Sequence, residues 1–211
     1  METVNEKRKT KDQRRMTKDP HPPTVFTIGH STRPQAELID LLREFGVRTL
    51  ADVRTVPRSR TNPQFNRDEL AVVLPAAGIE YQHLPKLGGL RKGIGATSPN
   101  MGWRNESFRG YADYMQTPEF REGLAELLEL AEDGPIAVMC AEAVPWRCHR
   151  SLIADALLVR GIPSADIQGP GKVISHMLTP FARVHGEEIT YPGDEASSRE
   201  GEQASIRKRD E

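Results

Sequence analysis

The sequence has few cysteines, few aromatic residues and no long apolar segment. Only two of its 211 residues are cysteines, which is too few for the disulfide framework of a small secreted domain. No stretch approaches the about 18 consecutive apolar residues of a membrane-spanning helix. The charged N-terminus also lacks the apolar core of a secretory signal. These absences predict a cytoplasmic protein with no membrane partner.

An excess of charge of one sign is also missing. The formal net charge is −1, whereas nucleic-acid-binding domains usually carry a basic surface. Nucleic acid therefore stays an alternative partner that the charge balance does not support. In the central residues 24–186, fifteen of the eighteen cationic side chains are arginines. Because arginine binds planar oxyanions through two parallel hydrogen bonds, this bias favours a small anionic molecule or a phosphate-bearing ligand as the partner.

Three regions are distinguished by their composition. Residues 1–23 are polar and charged and end in a proline-rich run, which predicts a disordered tail. Residues 187–211 are rich in Glu, Ser, Gly and Arg, and they predict a disordered acidic tail. Between the tails, residues 24–186 alternate short apolar runs with segments of helical periodicity, which predicts one α/β domain.

The alternation within residues 24–186 predicts a mainly parallel sheet. Helical segments of ten or more residues separate the apolar runs, and such spacing is typical of right-handed β-α-β crossovers. We therefore expect a single three-layer α/β domain with about five strands. The predicted strands are Val25–Ile28, Thr49–Val53, Glu80–Leu84, Ile136–Met139 and Ala165–Gln168, and the predicted helices are 35–45, 67–77, 106–132 with a break at Pro118, and 148–160.

Side chains capable of chemistry follow the predicted strands. In a parallel sheet these strand ends meet at one edge, where ligands bind. Each residue also has a structural interpretation: a turn for His30, pairing with an arginine for Asp52, and a backbone hydrogen bond for His83. The residues concerned are His30 after the first strand, Asp52, Arg54 and Arg58 after the second, His83 and Arg91 after the third, and Cys140 and Glu142 after the fourth.

Residues 138–150 are the most informative segment. They contain both cysteines, Cys140 and Cys148, together with Glu142, His149 and two arginines, Arg147 and Arg150. An apolar run precedes the segment and a helical pattern follows it. We expect a buried strand, then a polar loop, then a helix that begins near Cys148.

Three functional interpretations of this segment stay open. Cys140 could be a thiolate nucleophile in an anion-binding loop, although Arg147 follows it by seven residues and a phosphatase loop needs six. Cys148 could be activated by a helix N-terminus and form a redox pair with Cys140. The cysteines could instead bind a metal with His149, but adjacent helical residues diverge by about 100°, so no metal site is predicted.

A structural interpretation competes with all three. In it, Cys140 is a small apolar core residue and Glu142 braces the loop. We expect Glu142 to bond to the start of the following helix, to Arg147 or to Arg150, because backbone N–H groups at a helix start favour negative charge.

Several separated motifs resemble a bacterial family known as the "domain of unknown function 488". The resemblance covers about residues 25–184 and implies a compact α/β domain with a shared site, but no activity. The motifs are Gly29-His30-Ser31, Asp52-Val53-Arg54 with Pro57 and Ser59, Phe65-Asn66, His83-Leu84 to Gly88-Gly89, Cys140-x-Glu142 with Cys148-His149-Arg150, and His176 to Pro180.

The leading functional prediction is an enzyme of unknown reaction that acts on an anionic substrate. The alternative is a non-enzymatic ligand-binding or nucleic-acid-associated module with structural or metal-binding cysteines. No cofactor and no oligomeric state follow from the sequence. The predicted catalytic residues are Cys140, Glu142, Cys148, His149, His30 and Asp52, and the predicted substrate-binding residues are Arg54, Arg58, His83, Arg91, Arg147 and Arg150.

Overall fold

A computed structural model describes residues 25–193 and contains a six-stranded sheet covered on both faces by helices. No helix in this range is long and apolar enough to cross a membrane. The strands are β1 (Val25–Gly29), β2 (Thr49–Asp52), β3 (Glu80–His83), β4 (Ile136–Cys140), β5 (Ser164–Gly169), β6 (Lys172–Ser175), β7 (Arg183–His185) and β8 (Glu188–Thr190), and the helices are α1 (Gln35–Glu44), α2 (Arg67–Ala76), α3 (Glu106–Tyr114), α4 (Pro118–Glu132) and α5 (Arg150–Leu158).

The strand order places a change of chain direction at the centre of the sheet. The order is β3-β2-β4-β1-β5-β6, with the first five strands parallel and β6 antiparallel to β5. The chain moves outward from β1 to β2 and β3, then returns to place β4 between β2 and β1. Crevices for ligands form where the chain direction reverses in this way, at the carboxyl ends of the strands. Here that position lies between β1 and β4.

Two apolar layers bury the central strands on both faces. One layer packs α1 and α2 against Phe26, Ile28 and Leu50. The other packs α3, α4 and α5 against Val25, Val138 and neighbouring side chains. Strands covered on both sides consist of continuous apolar runs, and every residue of β1 and of β4 is buried.

The predicted three-layer architecture is confirmed. All five predicted strands are present, and the sheet gains the antiparallel strand β6. The predicted break at Pro118 is also confirmed, since this proline occupies the first turn of α4, where its missing N–H costs nothing. The helix after β4 begins at Arg150 rather than near Cys148, so both cysteines precede it.

The folded domain extends beyond residue 186, where the sequence places its end. Strands β7 and β8 form a hairpin, and Ile189 and Tyr191 are buried in the main core. The Tyr191 hydroxyl donates a hydrogen bond to Asp155 Oδ2 at 2.9 Å. This segment is rich in Glu and Gly, and its two buried residues, Ile189 and Tyr191, form no apolar run in the sequence. The predicted boundary is therefore wrong by at least seven residues. The tails predicted for 1–23 and for the remaining C-terminal residues lie outside the described residues.

Replacing Tyr191 with alanine should destabilise the domain by about 3–5 kcal/mol, because it removes a fully buried aromatic ring. Tyr191→Phe keeps the ring and removes only the hydroxyl, so it should cost about 1–3 kcal/mol. The measurement is urea unfolding of both variants and the unchanged protein. Equal stability of Tyr191→Ala and the unchanged protein would show that residues past 186 are not part of the cooperative fold.

Candidate functional site

A cleft of about 550 Å³ opens at the carboxyl ends of β1, β2 and β4. Its volume lies within the range of small-molecule sites. Six predicted site residues meet in its wall, as expected from the parallel sheet. These are His30, Arg54, Arg58, Cys140, Glu142 and His149.

The two cysteines and His149 form a compact cluster at the floor of the cleft. His149 Nδ1 lies 4.0 Å from Cys140 Sγ and 3.6 Å from Cys148 Sγ. The other ring nitrogen, Nε2, lies 3.2 Å from the Val53 carbonyl oxygen. Since a carbonyl only accepts hydrogen bonds, Nε2 carries the proton and donates it. Nδ1 is the ring nitrogen that faces both sulfur atoms.

The cluster favours one thiolate and one thiol. A hydrogen bond from the Cys148 thiol, together with His149 and the Glu142 backbone N–H, lowers the pKa of Cys140 well below the ordinary thiol value, although burial opposes this. The same hydrogen bond and burial raise the pKa of Cys148. Cys140 lines the cleft and Cys148 lies behind it. The negative sulfur is thus the one that a ligand can reach.

Two glycines permit the close backbone packing of this floor. A Cβ atom on Gly29 would lie 1.9 Å from the Glu142 carbonyl oxygen, and a Cβ atom on Gly89 would lie 2.4 Å from His149 Nδ1. Both distances are far below van der Waals contact. Ser31 adopts a positive φ of 48°, which is uncommon outside glycine. The loop after β1 therefore turns sharply against the loop after β4.

A buried ion pair between Arg54 and Asp52 supports the wall of the cleft at the end of β2. Arg54 Nε donates to Asp52 Oδ1 at 2.8 Å, and Arg54 Nη2 donates to Asp52 Oδ2 at 2.5 Å and to the Phe65 carbonyl at 2.7 Å. The Tyr81 hydroxyl also donates to Asp52 Oδ2, at 2.8 Å. Asp52 is fully buried and lies behind Arg54. The pair satisfies both charges, so Asp52 positions Arg54 and does not itself face the cleft.

His30 connects this ion pair to the cleft. Its Nδ1 lies 2.9 Å from the Ser31 carbonyl and its Nε2 lies 3.3 Å from Arg54 Nη1. Because arginine only donates, Nε2 accepts and Nδ1 carries the proton. Burial and the Arg54 charge lower the pKa of His30, and the ring stacks on Phe65 with 4.3 Å between centroids. His30 is therefore a neutral imidazole in a fixed orientation.

Four predicted binding residues lie away from this cleft. His83 Nε2 lies 2.9 Å from the Arg54 carbonyl. Arg91 donates to the carbonyls of residues 85, 86 and 88 and lies 3.8 Å above the ring of Tyr114. Arg147 is exposed and lines no part of the cleft, and Arg150 is fully buried beside a different cavity. The structure therefore does not bring these four residues into the cleft that contains Cys140.

The expectation for Glu142 is also wrong. Its side chain is exposed at the rim, and within residues 25–193 it forms no ion pair with Arg147 or Arg150. Its backbone has the structural role instead, through the N–H that faces Cys140 and the carbonyl that approaches Gly29. The start of α5 at Arg150 receives no side-chain cap hydrogen bond.

The sequence argument against a metal does not hold in this geometry. It assumed that Cys148 and His149 lie on a helix and diverge. Both precede α5, and Cys148 has an extended backbone. As a result, ligand atoms of Cys140, Cys148 and His149 all lie within 4.8 Å of one another.

The chain matches the family model "Domain of unknown function DUF488" over residues 35–157. The chain belongs to the DUF488 family. None of the curated proteins and none of the solved structures matches it. The matched range includes α1 through most of α5 and contains the cluster, the buried ion pair and Glu142. It does not include β1 with His30.

The DUF488 cleft also contains polar residues that the sequence did not indicate as ligand-binding. Thr55 accepts a hydrogen bond from the Leu90 N–H and so joins the segment after β2 to the segment after Gly89. Ser59 and Asn62 line the mouth and bond to each other, the Asn62 N–H donating to Ser59 Oγ at 3.0 Å. Ser59 belongs to the motif that follows β2, whereas Thr55 and Asn62 belong to no motif of the sequence, and their position in the fold identifies them.

The pH dependence of alkylation tests the assignment of the thiolate. Because the pKa of Cys140 is well below the ordinary value, its thiolate persists as pH falls, and its reaction rate with iodoacetamide should stay level from about pH 8 to about pH 5. An ordinary thiol would lose about a hundredfold in rate over two pH units in this range. Rates are followed by mass spectrometry of the labelled peptide. Cys148→Ala should restore a steeper dependence, since it removes the thiol that donates to Cys140.

A rate at Cys140 that falls about tenfold per pH unit in the unchanged protein would refute the low pKa. Faster labelling of Cys148 than of Cys140 would refute the assignment of the accessible sulfur.

Proposed function

We propose that this DUF488 protein is an enzyme that uses the Cys140 thiolate as a nucleophile on a small anionic substrate. The observation that carries the proposal is the position of Cys140 Sγ in the cleft wall, 4.0 Å from Nδ1 of His149. A nucleophile needs a low pKa, access and a neighbouring base oriented by a third group. Here the Val53 carbonyl orients the base.

The roles follow from position. The Cys140 thiolate forms a bond to the electrophilic atom of the substrate while the bond from that atom to its leaving group breaks, and the leaving group departs with the electron pair. His149 then takes up at Nδ1 a proton from the water that displaces Cys140 from the covalent intermediate, which frees the thiolate. His30 lies on the wall with its orientation set by Arg54. The lowered pKa keeps His30 neutral, so it acts as a hydrogen-bonding group in place of a charge.

Arg58 is the group that favours an anion. Arg54 is already paired with Asp52, whereas Arg58 lines the cleft, is exposed and has no ion-pair partner among residues 25–193. Glu142 at the rim opposes a highly charged ligand. The balance favours a substrate with one negative charge located near the mouth.

Two alkylating reagents of the same shape test the preference for an anion. Iodoacetate carries a charge and iodoacetamide does not. At Cys140, the rate with iodoacetate divided by the rate with iodoacetamide should be about tenfold higher than the same ratio for free cysteine. This is the effect of one charge-assisted contact. Arg58→Gln should return the ratio to near that of free cysteine. Arg147→Gln is the matched control, because Arg147 is exposed and outside the cleft.

A ratio at or below that of free cysteine would refute the anion preference. An equal effect of both arginine replacements would show that the overall electrostatic potential of the protein sets the rate ratio, and that no contact with Arg58 does.

A metal-binding function is the second candidate, favoured by the clustering of Cys140, Cys148 and His149. Three protein ligands with one open position are typical of catalytic zinc. The hydrogen bond from His149 Nε2 to Val53 leaves Nδ1 free to bind a metal. Zinc ligands in a tetrahedron lie about 3.3–3.8 Å apart. The three ligand atoms lie within 4.8 Å of one another, so the side chains would move closer together to bind the ion.

Zinc titration distinguishes the two candidates. A metal site should bind about one Zn²⁺ per chain with submicromolar affinity, lose it in Cys148→Ser and protect Cys140 from iodoacetamide until a chelator is added. A nucleophile site should retain fast alkylation with equimolar Zn²⁺ present. Bound zinc that depends on all three residues would replace the thiolate proposal.

A further inference from the structure

A second cavity of about 430 Å³ lies on the face of the sheet that carries α3, α4 and α5. It is enclosed by β1, β5, β6, the start of α5 and residues 176–181. It shares no lining residue with the cleft that contains Cys140. Its volume suits a small ligand. Nothing in the roles derived for Cys140 and His149 uses it.

Unpaired hydrogen-bond donors are concentrated in the wall of this cavity. Within residues 25–193, five buried side-chain nitrogen or oxygen atoms lack a hydrogen-bond partner. Four of them belong to two residues of this wall: Nε, Nη1 and Nη2 of Arg150, and Nε1 of Trp103. The Arg150 side chain is fully buried. Buried donors are normally paired, and leaving one unpaired is costly. All four atoms are donors, so the missing partner is an acceptor.

Asp166 compensates the charge of Arg150 but not its hydrogen bonds. The closest approach of their charged atoms is 3.8 Å, too long for a hydrogen bond. The Asp166 oxygens are taken by the Thr27 hydroxyl at 2.6 Å and the Gln168 amide at 2.5 Å. Asp166 would repel a doubly charged phosphate more strongly than a single carboxylate. The planar fork of arginine matches a carboxylate with two parallel hydrogen bonds.

The remaining wall is apolar and open at its outer end. Trp146 and Met177 are 68% and 83% exposed, which is unusual for side chains of this size. Phe181, Pro145 and Pro180 line the same cavity. An apolar ligand body would remove these side chains from water, at a gain of roughly 25 cal/mol per Å².

We propose that this second cavity binds a small monocarboxylate with an aromatic or branched aliphatic body. The carboxylate pairs with the Arg150 guanidinium and the Trp103 indole N–H. The apolar body lies against Trp146 and Met177. The proposal is independent of the chemistry assigned to Cys140.

The protein supplies its own reporter for this site. Its two tryptophans, Trp103 and Trp146, both line the cavity. Titration with phenylacetate should change the tryptophan emission and saturate in about the millimolar range, as expected for a ligand of ten non-hydrogen atoms. Phenylacetamide, which has the same shape without the charge, should bind at least about tenfold more weakly. Inorganic phosphate should not compete with phenylacetate.

Two replacements should act in opposite directions. Arg150→Gln should weaken phenylacetate binding by at least about tenfold and leave phenylacetamide binding unchanged. Asp166→Asn keeps the shape of the side chain and removes the competing charge, so it should strengthen phenylacetate binding several-fold. Thermal melting identifies any variant that has lost its fold. If Arg150→Gln does not fold, the proposal is tested by Asp166→Asn and by the comparison of phenylacetate with phenylacetamide.

Equal affinities for phenylacetate and phenylacetamide would overturn the proposal, as would Asp166→Asn with unchanged or weaker binding of the acid. Emission that does not respond to any of the probes would also overturn it. Iodoacetamide labelling of Cys140 in the same samples reports on the first site, so failure at one site is distinguishable from failure at the other.

Discussion

The parallel pairing of β1 with β4 is the constraint on which the cleft depends. The pairing continues past the strand ends, where the His30 N–H donates to the Cys140 carbonyl at 3.0 Å and the Ser31 N–H donates to the Ala141 carbonyl at 2.9 Å. These two bonds hold the loop after β1 against the loop after β4. Gly29 permits the approach, because any side chain there would overlap the Glu142 backbone. The position of the Cys140 sulfur is thus set by backbone geometry.

Burial of charge explains the rest of the arrangement. Two buried arginines lie near the sheet, Arg54 and Arg150, and they differ in their hydrogen-bond partners. Arg54 has a complete set of partners in Asp52 and Phe65, so it supports the wall of the cleft as a rigid element. Arg150 has a carboxylate at 3.8 Å, and its guanidinium has no hydrogen-bond partner within residues 25–193. A buried charge whose hydrogen bonds are all formed holds its neighbours in fixed positions, whereas a buried charge with unused donors is costly and needs a partner.

The sequence was informative wherever a local pattern determines the structure. Apolar runs of four or five residues placed the central strands β1 and β4, and periodicity placed the helices, because burial on one or both faces decides which residues a strand or helix can use. The residues after the strand ends were correctly expected to share an edge. Five of them, His30, Arg54, Arg58, Cys140 and Glu142, line one cleft. The failures concerned the contacts of long side chains: Arg91 lies outside the cleft, and Glu142 does not bond to the following helix. The direction of such side chains depends on partners distant in sequence.

The sequence by itself determined the layer architecture, the family and the presence of a cysteine–histidine segment after a buried strand. Only the tertiary structure decided which sulfur faces the cleft, that Cys148 and His149 converge, and that Arg150 belongs to a second cavity. The physical reason is the separation in sequence of the groups that interact. Strand and helix formation follow from the burial of neighbouring residues, whereas the pKa of Cys140 and the isolation of Arg150 arise from groups brought together across the sheet. Such contacts leave no periodic signal in the chain.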